Sequence, residues 1–218
     1  MTRYILLTAA SAIISLHASA QASYQEPLQK TFIAFDTTMD MGKKVEQSNK
    51  LNMIAKKWND QWAPHYYNAY SKAQLSYMEK DEAKRDAYVD EAEKELGEAV
   101  SLLGKDNDET YVLAAMVANA RLAVKPQARW QKYGKIYDEN LEKAKALNAD
   151  NPRIYYLRGT NKFFTPKMFG GGKKAALPFF EKAEGLFAKE AGGDIDKPYW
   201  GKLQNTYFLG ECKGDDKE

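Results

Sequence analysis

The chain has 218 residues, 32 Lys and Arg against 30 Asp and Glu, and a single cysteine, Cys212. Charge this close to balance supplies no long-range field for nucleic acid or an anionic membrane, and one thiol excludes an intramolecular disulfide. A chain of this length must hold itself together by apolar burial, which roughly 200 residues can supply in one domain.

Met1 to Ala22 reads as a secretory signal: Arg3, then an apolar run from Tyr4 to Leu16. Ala18-Ser19-Ala20, or Ala20-Gln21-Ala22 two residues on, offers the small-residue cleavage site. The run is short of the roughly 20 apolar residues that span a bilayer. The expected boundaries are a signal over 1–22, one helical domain over 23–212 and a frayed tail over 213–218. The mature chain is expected to be exported, periplasmic or secreted, with no membrane insertion after cleavage.

From Glu26 to Leu209 the chain reads as helix after helix, rich in Ala, Leu, Glu, Lys and Met. Gln29 to Met41 stops at Gly42, and Lys43 to Lys57 follows. Asn59 or Asp60 can cap Gln61 to Glu79, a helix unusually rich in aromatics: Trp62, Tyr66, Tyr67, Tyr70 and Tyr77. Those rings suit a core or a binding groove, and Tyr66, Tyr67 and Tyr70 are not expected to face inward all together with Trp62. Asp81 to Leu103 carries one amphipathic stripe through Ala83, Ala87, Ala92, Leu96, Ala99, Val100 and Leu103, and Gly104 ends it. Glu109 to Val124 is closed by Pro126. Trp130 to Leu147 comes next, then Arg153 to Phe163 opened by Pro152. Gly170-Gly171-Gly172 reads as a flexible crossover into Lys173 to Lys189, where Pro178 delays or kinks the start. Tyr199 to Leu209 is the last helix, and Cys212 reads as a small packing residue or a thiol able to pair between chains.

Three triads repeat one pattern: Ala92-Leu96-Ala99, Tyr137-Leu141-Ala144 and Ala176-Phe180-Ala183. Their central residues, 96, 141 and 180, are spaced as in a helical solenoid. The fold expected is all-α, about nine helices stacked as antiparallel pairs, with three such units and a final helix as cap. Residues 26–60 are expected to cover the first unit.

Ala176-Phe180-Ala183 fits the second-helix half of the tetratricopeptide consensus, A-x3-F-x2-A. Trp200, Leu203 and Tyr207 fit the first-helix half, W-x2-L-G-x2-Y, although Gln204 stands where that pattern has Gly. The chain resembles a tetratricopeptide-like helical repeat, with inter-helix links too long for the usual 34-residue period. WAPHYYNAY, KPQARWQKYG and the FTPKMFGGGKKA segment are similar to an uncharacterised subgroup of exported bacterial tetratricopeptide proteins. That resemblance implies a fold and a compartment and no reaction.

Catalysis and metal binding have little to work with. His17 and His65 are the only imidazoles, Cys212 lies far from His65 in sequence, and Asp106-Asn107-Asp108 lacks the Gly and Glu of a calcium loop. Gly170 to Lys174 lacks the spacing and preceding strand of a phosphate loop. A non-enzymatic module without cofactor or metal is therefore expected, holding a protein or an extended peptide in a groove lined by the first helices. Tyr66, Tyr70, Asn119 and Asn161 are the candidate contacts. The alternative is a receptor or carrier for a small anionic ligand. Its site would be built from the two lengthened basic links through Arg129, Lys132, Gly171, Gly172 and Lys173.

Overall fold

The computed structural model describes residues 23–214. The signal reading, and the tail beyond 214, lie outside the described residues. Nine α-helices and no strand are present among them: α1 (Gln25–Thr37), α2 (Met41–Lys57), α3 (Trp62–Met78), α4 (Glu82–Leu103), α5 (Asp108–Val124), α6 (Pro126–Leu147), α7 (Pro152–Phe164), α8 (Lys173–Phe187) and α9 (Lys202–Gly214).

Polar caps set many of the boundaries. Asp40 and Asp81 accept from the amides of Lys43 at 2.8 Å and Lys84 at 2.9 Å. Asn107 and Asn151 accept from Glu109 at 2.8 Å and Arg153 at 2.9 Å. Each such cap contributes about 1 kcal/mol. Asp40 explains why α1 stops early: the break falls at residues 38–40, and Gly42 lies inside the first turn of α2. Pro126 opens α6 four residues ahead of the expected start, because its fixed φ suits a first helical turn. Pro178 delays nothing, and α8 begins at Lys173.

The helices pack as antiparallel neighbours, α3 with α4, α5 with α6 and α7 with α8, while α9 lies on α8. All nine triad residues are buried, one triad on each of α4, α6 and α8. Small residues there let the paired helices approach. At Gly159 of α7 a Cβ would stand 2.6 Å from the Phe180 ring of α8, so only glycine permits that contact. On α4 the buried stripe runs Val89, Ala92, Leu96 and Ala99, while Ala83, Ala87 and Val100 face solvent.

The aromatic helix α3 is central to the stack, against α1 and α2 on one side and α4 and α5 on the other. Tyr66, Tyr67 and Tyr70 are all fully buried, contrary to expectation. A helix with neighbours all round has no solvent face to give up. The covering helix α1 does more than shield the first unit. Its Phe32 ring lies 4.6 Å from Tyr67, 5.8 Å from Tyr70 and 5.5 Å from Tyr199. The Tyr24 hydroxyl donates to Asp196 at 2.5 Å, and Asp36 accepts from Gln204 at 2.8 Å. In this way α1 ties the first unit to the last.

Candidate functional site

The face on which a repeat scaffold would hold a peptide is already occupied. Tyr66 donates to Glu109 and accepts from the Trp200 indole at 2.7 Å. Tyr70 donates to Asp36 at 3.2 Å and accepts from Gln74 at 3.0 Å. Asn119 is half-buried and donates to the Tyr77 hydroxyl at 3.0 Å. The Asn161 carbonyl accepts from Thr165 at the end of α7. Tyr66, Tyr70 and Asn119 thus bond within the stack, while Asn161 accepts at the end of α7 through its backbone carbonyl. Phe32 of α1 and Trp200 cover the surface those tyrosines would have shown.

The residues of the anion-binding alternative have separate engagements. Arg129 donates to both oxygens of Asp86, at 2.6 and 2.8 Å, and to the Arg121 carbonyl at 3.1 Å. These charge-assisted bonds hold the Asp86 carboxyl down at about 2. Lys132 sits over the Tyr133 ring, 5.0 Å from its centroid. Lys173 reaches Glu211 of α9 at 3.6 Å. Two cavities, of 210 and 180 Å³, open on other walls: Glu109, Asn151 and Glu190 line one, Leu96, Val117 and Ile136 the other. Both fall below the usual size of a closed ligand pocket, roughly 300 Å³ or more.

What the structure presents instead is an aromatic shelf at the end of α7. The α7 helix stops where Thr165 precedes Pro166. The chain then makes one 3₁₀ turn over Lys167–Phe169 and doubles back. The Gly172 amide donates to the Lys162 carbonyl at 2.8 Å, and the Gly171 amide to Pro166 at 3.3 Å. A Cβ on Gly171 would run into the Thr165 carbonyl oxygen. The glycines therefore make a closed loop, tied by backbone hydrogen bonds, in place of the flexible crossover read from sequence.

At the end of α7, Phe208 of α9 stacks on Phe180 at 5.5 Å and 7°, and meets Phe163 edge-on at 5.1 Å. That inner layer braces an outer one. Phe164 and Tyr207 each contact the Phe208 ring, at 5.7 and 5.4 Å. Phe164 and Tyr207 stand in water, 70% and 63% exposed; Leu203 on α9 (56%) and, in the loop, Met168 (82%) and Phe169 (69%) are exposed as well. The closing helix of a solenoid normally turns a polar face outward, because nothing follows to cover it. Here α9 turns out Leu203 and Tyr207 instead. Reading Leu203 and Tyr207 as repeat-packing positions hid them. The available signal was the Phe-Phe and Met-Phe pairs on either side of Pro166 in a stretch without acidic residues.

A scan against protein-family models finds no match, and a search of curated proteins finds none either. Among solved structures the chain is similar to the HusA haemophore from Porphyromonas gingivalis. The two are 34% identical, over 90% of this chain and 96% of that one, with a TM-score of 0.74. The chain belongs to the HusA family. The likeness to HusA overturns the peptide-holding scaffold as the leading expectation, and with it a protein or peptide as the partner. It favours the small-ligand alternative. Among the described residues no helix is long and apolar enough to cross a membrane.

Proposed function

We propose that the protein is a non-enzymatic, exported carrier for a planar, largely apolar tetrapyrrole of the haem type, seated on the shelf formed by Phe164, Met168, Phe169, Leu203 and Tyr207. The exported, tetratricopeptide-like character read from the sequence fits such a role. The observation that carries the reading is the exposed aromatic layer braced by Phe163, Phe180 and Phe208 in a relative of a haemophore. Flat rings gain most from flat aromatic partners, by area burial plus about 0.5–1.5 kcal/mol of ring–ring geometry per pair. Rings already held by an inner layer lose little conformational freedom when a ligand lands on them. Titration of the mature chain with haemin, followed by absorbance, should show saturable binding near one equivalent. Binding without saturation, as on a greasy surface of no defined site, would refute the carrier.

A further inference from the structure

The link between α8 and α9, residues 188–201, contains no helix, and one buried arginine ties it to the body of the protein. Arg153, in the first turn of α7, is fully buried. Its Nη1 donates to the Glu190 carboxylate of the link at 2.7 Å, and its Nη2 to the same carboxylate at 3.2 Å. Nη2 donates as well to the Pro198 carbonyl, further along the link. The same Nη1 also donates to Glu109 of α5 at 3.2 Å. One buried cation thus serves two carboxylates.

Two carboxylate oxygens bonded to one nitrogen stand within about 6 Å of each other, a range in which like charges resist joint ionisation. Glu109 is the more enclosed, its side chain 13% exposed against 28% for Glu190. It accepts from Asn151 at 2.7 Å and from Tyr66 at 3.2 Å, and Tyr66 accepts in turn from the Trp200 indole near the end of the link. Asp108 beside it on α5 and Tyr67 of α3 also act on it electrostatically. Asp150, ahead of α7, and Lys189 of the link line the same 210 Å³ cavity as Glu109 and Glu190. That cavity gives a proton access to the carboxyl. Burial raises the Glu109 carboxyl to about 7 against the pull of Arg153, with Asp108 and Glu190 adding to the rise.

We propose that Glu109, Arg153 and Glu190 form a proton-operated latch on the α8–α9 link, shut while Glu109 is protonated and loosened once that proton leaves. With Glu109 neutral, the Arg153 charge answers to Glu190 alone, and the link is held at Glu190, Pro198 and Trp200. With Glu109 ionised, a second negative charge competes for Nη1 and repels Glu190. Glu190 is the partner that yields, because it is more exposed and lies on a segment without helix. The helix α9 follows at Lys202, so the latch sets how firmly the closing helix is held. Opening hydrates Glu109 and takes Glu190 away from it, which returns the carboxyl toward its ordinary value. Opening therefore grows easier as pH climbs toward about 7 and levels off above it.

Hydrogen exchange of the wild-type chain, read by mass spectrometry without ligand and corrected at each pH against the unfolded chain, tests the latch. Amides of 188–201 should open on their own, ahead of the core of α5. Between about pH 5 and about pH 8 that opening should grow at least about tenfold, and by no more than about tenfold per pH unit, since one proton is involved. Glu109→Gln, which does not titrate, should abolish the rise. A link whose opening is flat across this range would overturn the latch. So would a link that exchanges only together with the core of α5, or a rise that survives in a folded Glu109→Gln chain. The wild-type measurement decides whether or not the variant folds. No ligand enters it, so its failure leaves the carrier reading standing.

Discussion

Removing the shelf should cost affinity and spare the fold. A phenylalanine side chain presents about 150–250 Å², and Phe164 is 70% exposed, so about 100–175 Å² of it faces water. A flat ligand covers about half of that. At about 25 cal/mol per Å² the covered part contributes about 1.3–2.2 kcal/mol, a factor of about 10–40 in Kd. Phe164→Ala should therefore weaken haemin binding by at least about tenfold. Adding Tyr207→Ala should bring the loss to about 100-fold, short of full additivity because both rings lean on Phe208. Stability should fall by about 1 kcal/mol or less, since the substitution gives up only the edge contacts to Phe163 and Phe208. In a chain of this size that is a loss of about 2–4 °C in Tm. Absorbance titration beside a thermal melt reads both quantities. A Kd within twofold of wild type in a folded double variant would refute the reasoning, and a melt lowered by 10 °C or more would recast Phe164 as a core residue.

Two further outcomes concern the scaffold. Burial pushes the Glu109 carboxyl up to about 7, with the Arg153 guanidinium acting in the opposite direction. The folded state then holds a proton that the unfolded chain releases near pH 4.5. The resulting stabilisation is full below that pH and is lost as pH rises through about 7. Denaturant midpoints should drop across this window, and Glu109→Gln should flatten the slope; an unchanged slope in the variant would assign the effect elsewhere. Gly159→Ala gains about 1 kcal/mol of helix propensity but drives a methyl to 2.6 Å from a Phe180 ring held by Phe208. Overpacking costs about 1–3 kcal/mol, so the melting temperature should fall, and a rise would show that the ring can yield.

Helix existence, the pairing of α3 to α8 and the buried triads were legible in the sequence, because each rests on local periodicity and on small residues at fixed spacing. Pro152 marked a helix start by its fixed φ, a property that acts locally. Side-chain exposure was not legible to the same degree, since it depends on what comes to lie opposite. Tyr66, Tyr67 and Tyr70 became core because α1 returns across α3 and Trp200 arrives from 130 or more residues away. Arg129 looked available as an anion ligand until Asp86 of α4 met it.

At the other end of the molecule, Leu203 and Tyr207 matched positions that a following repeat would bury. The chain builds no such repeat among its described residues, so the same pattern became surface. Sequence by itself determined the helices and their pairing. Tertiary structure decided which aromatics are core and which form the shelf, because burial is a property of neighbours, and the deciding neighbours here are remote in the chain.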